Sequence, residues 1–461
     1  RCSPAYAGHG EPPAPWRTTV GELATFEKLF NFRYFLEIFI GHEIPAHTEI
    51  VIAPGREYFM RVMAVLREYS TTEGLQIVRD YIKFKQLFLL SIYSGKMKQT
   101  KQELGGLETL RLLYVGEDDR SFQCINRVAM INQLGFVSLL DRFWAPQLKE
   151  NMAQAHHIGE ALRREYITAL KKSDVIDEID RARMIDKAER IRIRVAVPEA
   201  ASSDQELNEE SELVANYTEG TESPTQHPWS IFFTAALGNR HWKQISNFGK
   251  PLNPAEWPTD TNPFNMNVHY NYEWNSVHFP IIWSYEQYVD ARLPSFFSYA
   301  GFGSIVGHEM THAFDFKGRN FGPSGVDQNL TVGKTSRNFE AKEQCFRDQY
   351  AALGEARITD DVLAENLADN VALRLSYKAW KAQDELAKKK LPGIDMTSEQ
   401  AFFTAYAQNW CSVSKLEQAS GTHSVGKLRV LGPLQNSRAF ADAFSCPVGS
   451  PMNPSKKCSL W

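Results

Sequence analysis

Apolar residues return every three or four positions through much of the first half of the chain. Phe59, Val62, Met63 and Leu66 form one stripe; Ile77, Tyr81, Phe84, Leu87 and Phe88 form a second; Ile125, Val128, Ile131 and Leu134 form a third. The spacing predicts helices from Thr19 to about Val197, joined by short polar connections. The stripes read as core packing rather than as a cofactor box. Arg181 to Arg194 alternates charge in the manner of a solvated helix face. Pro198 to Pro228 changes character: Ala200 to Asp204 and Glu209 to Glu212 are acidic, Ser-containing and poor in bulky apolar side chains. Residues 200–228 are therefore expected to form an acidic linker or mobile loop. Beyond Trp229 aromatic residues crowd the chain. Asn267-Val268-His269-Tyr270 and Val277 to Trp283 read as two short extended runs around a turn. The pattern as a whole predicts a mainly α fold with small β elements.

One apolar segment carries chemistry. Ile305, Val306, Met310 and Phe314 make Ser304 to Asp315 look like a helix buried in a core, and within it stands His308-Glu309-Met310-Thr311-His312. In a helix, positions 308 and 312 are one turn apart and share a face, so two imidazoles can bind one metal ion. Neutral imidazole suits Zn²⁺, and three protein ligands leave a fourth position for water. Glu309 then stands where it can take a proton from water. The alternative is a chance run of residues, against which the apolar flanks count.

A catalytic zinc site needs a third ligand. Downstream, Glu365 and Asp369 are i, i+4 in a segment with an apolar stripe at Leu367, Val371 and Leu375, so both carboxylates point the same way. Glu365 is placed to ligate zinc while Asp369 accepts the free ring N–H of a ligand histidine. On spacing alone the pair is equally well an acidic helix start, with Asp360, Asp361 and Glu365 favouring the positive end of the helix dipole.

Composition narrows the class. Apolar content of 43% with 12% aromatics is ample for a sizeable core, and a net charge of −4 offers no basic field for nucleic acid. No apolar run approaches the length of about eighteen residues that a membrane span needs. The start, Arg1-Cys2-Ser3-Pro4, is neither a signal peptide nor an initiating Met, and reads as a processed or trimmed piece of a longer chain. The six cysteines, Cys2, Cys124, Cys345, Cys411, Cys446 and Cys458, contain no CxxC pair. Sequons at Asn216-Tyr217-Thr218 and Asn329-Leu330-Thr331 are compatible with a glycoprotein of the secretory pathway. Together with the cysteines they favour an extracellular protein.

His308-Glu309-Met310-Thr311-His312 followed by Glu365-Asn366-Leu367-Ala368-Asp369 resembles the gluzincin pattern of the neprilysin family of zinc metallopeptidases, which includes the endothelin-converting enzymes. The resemblance continues through Asn267 to Tyr270, Val277 to Pro280, Gly318 to Phe321, Leu391 to Asp395, Trp410-Cys411, Leu434 to Ser437, Met452-Asn453-Pro454 and Cys458 to Trp461. It is dense from about Pro263 onward and weaker between Trp16 and Pro198, where Ala53 to Tyr58 and Cys124-Ile125-Asn126 carry it.

The resemblance implies a thermolysin-like catalytic domain over residues 229–461, and a partial helical N-terminal region over 1–199 that closes over the active site. It implies one Zn²⁺ ion on His308, His312 and Glu365, Glu309 as general base, and Asp369 behind a ligand histidine. His423 matches the residue that stabilises the tetrahedral oxyanion, and Arg429 the arginine that hydrogen-bonds a substrate carbonyl. Asn267 and Val268 match the pair that aligns substrate as an added strand. Trp283 and Tyr288 stand where an aliphatic residue and Phe usually line the pocket after the scissile bond. Val268 replaces Ala, His269 an aromatic residue, and Val371 and Ala372 two glycines.

The family layout pairs Cys345 with Cys458. It leaves Cys124, Cys411 and Cys446 without the partners they would find in a further N-terminal segment, which also carries the membrane anchor. The implied protein is an extracellular or cell-surface endopeptidase of oligopeptides, cutting on the amino side of apolar residues. The alternative class is a non-catalytic or truncated ectodomain that binds without cleaving.

Overall fold

The computed structural model describes residues 16–26, 30–52, 55–93, 125, 129, 132–216, 250, 267–284, 288–325, 328–383, 390–411 and 421–461. Two compact units divide the chain: Arg1–Asn132 with Asn208–Leu252, and Gln133–Leu207 with Asn253–Trp461. Among the described residues no helix is long and apolar enough to cross a membrane.

In the first unit β1 (Trp16–Thr19) pairs antiparallel with β2 (Glu49–Ile52), Trp16 opposite Ile52. The unit also contains α1 (Val20–Phe26), α2 (Phe32–Ile40), α3 (Gly55–Glu68) and α4 (Thr72–Tyr93). Phe59 and Met63 of the first stripe are buried against Leu23, as their spacing predicts. The second stripe departs from expectation: Ile77, Tyr81 and Phe84 are exposed by 56%, 57% and 59%. Periodicity puts residues on one face of a helix but does not say what covers that face. Val128 and Ile131 of the third stripe lie outside the described residues.

The second unit is built around one large core. It contains α5 (Gln133–Lys172), α6 (Glu178–Glu189), β3 (Arg192–Ala196), β4 (His269–Asn271) and β5 (Ser276–Pro280). The strand order is β3-β5-β4, with β3 parallel and β4 antiparallel to β5, so β4 is an edge among the described residues. The two extended runs expected from the pattern are thus real, although Ile281 to Ser284 turns into a 3₁₀ helix. The stretch expected as an exposed connection contains α7 (Asp204–Asn216), whose Asp204 and Glu206 sit in its first turn where the dipole favours them; residues 217–228 lie outside the described residues.

Arg181 to Arg194 is a solvated face only in part: Arg183, Glu189 and Arg190 are exposed, but the helix has a buried side as well. Helix α6 buries Asp180, Met184, Lys187 and Ala188, and the chain then enters β3. Charges at these positions are tolerated because each finds a backbone partner: Asp180 Oδ2 accepts the Val332 N–H at 3.0 Å, and Lys187 donates to three carbonyls.

Helices α8 (Ser304–Thr311), α9 (Gly333–Ala352), α10 (Asp360–Lys381), α11 (Ser398–Gln408), α12 (Gly426–Asn436) and α13 (Arg438–Ala443) complete the unit. Helix α10 is buried on nearly every side, as its run of Val362, Leu363, Leu367, Val371, Leu375 and Trp380 requires. Its N-terminus is capped by the Thr359 side chain. Helix α8 crosses it closely: a Cβ on Gly307 would meet the Ala372 Cα at 3.0 Å, so the glycine sets how near the two helices come. That crossing brings the turn bearing His308 to the turn bearing Glu365.

Cys345 on α9 is bridged to Cys458, 113 residues on, at a Cα separation of 5.8 Å. This is the pairing implied by the family layout. Cys411 and Cys446 are free thiols, while Cys2 and Cys124 lie outside the described residues. A bridge closing so long a loop stabilises by about 4–5 kcal/mol in the chain-entropy model. The Cys345→Ser, Cys458→Ser double variant is expected to lose about that much in denaturant unfolding, and an unchanged midpoint would refute the estimate. Alkylation mapping without reduction should label Cys411 and Cys446 but neither bridged residue.

Candidate metal centre

The helical turn does what the spacing requires. His308 and His312 present Nε2 to Nε2 at 3.2 Å from one face of α8. Glu365 comes from α10 with Oε2 2.9 Å from His308 Nε2 and Oε1 3.7 Å from His312 Nε2. His423, on the loop leading into α12, places Nε2 3.0 Å from Glu365 Oε2. His308, Glu365 and His423 each offer a ligand atom within 4.8 Å of the others, and His312 adjoins the first two.

The far side of each α8 imidazole separates the ligand candidates. His308 Nδ1 donates to Asp369 Oδ1 at 2.8 Å, and His312 Nδ1 donates to Asp315 Oδ2 at 2.8 Å. An ionised carboxylate only accepts, so both rings carry a proton on Nδ1 and turn Nε2 inward. With the rings neutral, two Nε2 lone pairs and a carboxylate repel unless a cation lies among them; in the metal-free fold a proton on His308 serves, 2.9 Å from Glu365. Ligands on one tetrahedral zinc stand about 3.3 Å apart, close to the spacings here, so the donor set fits zinc. His423 is different: its side chain is 47% exposed and its Nδ1 lies beside the Thr422 hydroxyl, with no carboxylate behind it among the described residues.

Behind the histidines the charges are stacked in order. Arg429 from α12 grips Asp369 with two bonds, Nε to Oδ2 at 2.7 Å and Nη2 to Oδ1 at 2.8 Å, and its guanidinium lies over Trp410 at 3.8 Å. Burial pushes the Asp369 carboxyl up, but Arg429 and His308 together hold it below its usual range. Burial likewise opposes charge on His308, yet the hydrogen bond and charge of Asp369, followed by Glu365, hold the metal-free imidazole up at about 10. Glu365 is held down, against its burial, by His308 and His423. Glu309 is pushed up by burial, and its Oε2 accepts the Tyr270 N–H of β4 at 2.8 Å.

The remaining expected residues fall on neighbouring elements. Val268 is buried and Asn267 exposed at the entry to β4. Trp283 and Tyr288 meet each other with ring centroids 4.3 Å apart, and Trp283 packs through Phe279 onto Phe302 just before α8. Reading the chain alone misses three groups. Asp315 had a usable signal, since it follows His312 by three residues and every ligand imidazole needs an acceptor for its other N–H. The Tyr270 N–H and Trp410 had none, because a backbone group and an aromatic neighbour acquire meaning only when folding brings them to Glu309 and Arg429.

Two profiles of Peptidase family M13 match the chain, one over residues 14–198 and the other over residues 267–460. The chain belongs to this family. It is 28% identical to neprilysin-1 of Trittame loki over 96% of this chain and 62% of that protein. It is 28% identical to neprilysin of Oryctolagus cuniculus over 94% of this chain and 57% of that one. Its fold is that of the Mycobacterium tuberculosis zinc metalloprotease Zmp1 in the open state, with a TM-score of 0.63 at 18% identity, covering 97% of this chain and 68% of the other. The chain spans about three fifths of the length of these curated relatives.

A proton on His308 competes with any metal. The sign follows from its raised value: in the metal-free fold the stability gained from the protonated imidazole is full below its ordinary 6.5 and is lost as pH rises through about 10. Metal binding must displace that proton, so apparent zinc affinity is expected to rise with pH, roughly tenfold per unit between about pH 7 and 9. Calorimetry in buffers of different ionisation enthalpy should count at least one proton released, since against its burial His312 is held up as well by Asp315. A pH-independent affinity with no proton release would contradict this account.

Proposed function

We propose that the chain is a zinc-dependent metalloendopeptidase that hydrolyses oligopeptides on the amino side of apolar residues. The observation that carries this reading is the convergence of His308 Nε2, His312 Nε2 and the Glu365 carboxylate, with both rings locked from behind by Asp369 and Asp315. His308, His312 and Glu365 would hold one Zn²⁺. When bound, the ion supplies a Lewis acid that polarises a carbonyl and makes water a nucleophile near neutral pH.

The chain's own groups do the rest. Glu309, buried and raised in pKa, takes a proton from the attacking water and passes it to the leaving amine. The Tyr270 N–H holds Glu309 at the edge strand, which ties the base to the element that aligns substrate. By the alternation of an antiparallel strand, the peptide groups of Val268 face the same way as those of Tyr270 and are placed to pair with a substrate backbone, with Asn267 beside them. His423, exposed and free of a carboxylate on Nδ1, is suited to stabilise the oxyanion. Arg429 keeps Asp369 ionised and reaches toward a substrate carbonyl with its remaining N–H groups. The disulfide and the exposed Asn329 of a sequon support an extracellular or cell-surface setting.

Replacing His308, His312 or Glu365 by Ala is expected to abolish stoichiometric zinc. Glu309→Gln should keep the metal and lower turnover of a quenched peptide by about 10²–10⁴-fold, since only proton transfer is removed. Zinc retained at one equivalent in both His308→Ala and His312→Ala would exclude the site.

Trp283 and Tyr288 are bulkier than the aliphatic residue and Phe usual in relatives and narrow the pocket they line. Smaller apolar side chains should be preferred over Phe just after the scissile bond by roughly tenfold or more, the scale of a methylene misfit. A peptide library in which Phe wins at that position would disprove the assignment.

A further inference from the structure

Lys187 stands apart from the machinery described so far. Its side chain is completely buried on α6, and its ammonium donates to the carbonyls of Ala313, Gly318 and Phe321, each at 2.8 Å. A neutral amine has only two N–H donors, so three carbonyl acceptors at this distance describe the charged form. Burial pushes its pKa down to about 7, with Asp315 pulling the other way. The rings of Tyr270 and Phe314 flank it, with centroids 5.8 Å and 5.7 Å from Nζ.

The three carbonyls belong to one loop, the segment that leaves α8 after His312 and folds back under it. The fold-back is tight: a Cβ at Gly318 would lie 1.9 Å from the His312 carbonyl oxygen, so no side chain fits there. Asp315 sits at the head of this loop. Its Oδ1 accepts the N–H groups of Lys317 and Gly318 at 2.9 Å and 2.6 Å, and its Oδ2 takes the His312 Nδ1–H. The loop therefore points its N–H groups at Asp315 and its carbonyls at Lys187. A cation near the carboxyl end of α8 also complements that helix's dipole. Without the ammonium, the Ala313 and Phe321 carbonyls lose this donor while Gly318 keeps the Phe321 N–H at 3.0 Å, and the loop must open for the other two to find water.

We propose that Lys187 is a positioning residue for the metal centre: by gathering the carbonyls of residues 313–321 it holds Asp315 on His312 and so fixes the tautomer and aim of that ligand. This rests on the metallopeptidase reading for its metal but not for its test in the metal-free protein.

Two readouts decide it. Zinc affinity is measured on the full chain by competition with a chromogenic chelator, and the His312 ring is read by ¹⁵N NMR of histidine-labelled metal-free protein. Lys187→Met is expected to lower zinc affinity about ten- to a hundredfold and to shift His312 away from the Nδ1–H form. Met184→Ala, a buried truncation on the same helix, controls for lost stability and should leave both readouts near wild type. In an Asp315→Asn background, Lys187→Met should cost little further affinity, because both act through one contact.

Equal affinity losses in Lys187→Met and Met184→Ala, additive losses with Asp315→Asn, or an unchanged His312 tautomer would each overturn the proposal. If Lys187→Met does not fold, Lys187→Gln, which keeps two N–H donors, is read instead; should neither fold, the ammonium is a folding determinant and the positioning role falls. A wild-type chain that binds no zinc would sink the metallopeptidase reading, and the His312 tautomer would still decide this one.

Discussion

The second unit is organised by a single electrostatic requirement. Two imidazoles and a carboxylate must point lone pairs at the same small volume, an arrangement that repels itself unless each group is held from behind. Asp369 and Asp315 do this for His308 and His312 through one 2.8 Å bond each. Each carboxylate is in turn fixed, Asp369 by the two-pronged grip of Arg429 and Asp315 by the N–H groups of its own loop. The order is carboxylate behind imidazole on both sides, backed by a guanidinium at Asp369 and by backbone N–H groups at Asp315. Such alternation allows charge to be buried, since an isolated buried ion is far too costly.

Packing serves this arrangement. Helix α8 approaches α10 through Gly307 against Ala372, which brings the histidine turn to the Glu365 turn. The terminal segment, bridged from Cys458 to Cys345, packs Trp461 against Tyr166, Phe314 and Phe339, and so supports the loop beyond His312. The bonded rear of the cluster contrasts with the side chain of His423, which is 47% exposed.

Much of the site was legible before any coordinates. The i, i+4 histidines and the i, i+4 acidic pair state their own geometry, because a helix converts spacing into direction. Both apolar segments proved to be buried helices for the same reason. The two short extended runs around a turn were legible as well, although β5 is buried on both faces and shows no alternation. Charge patterning held only in part at Arg181 to Arg194, where Arg183, Glu189 and Arg190 are exposed but Lys187, like Asp180 just before the stretch, is buried. A charged residue is solvated by default, and only distant backbone partners at Val332, Ala313, Gly318 and Phe321 reverse that default.

What the chain by itself determined was therefore local: which residues are helical, which share a face, and which chemistry that face offers. What only the tertiary structure decided was pairing across distance. Glu365 becomes a neighbour of His308, Asp369 a partner of Arg429, and Lys187 a cage for carbonyls more than a hundred residues away. Periodicity is a property of one segment, set by backbone geometry. A hydrogen bond between segments depends on how helices cross and which groups burial leaves in need of a partner.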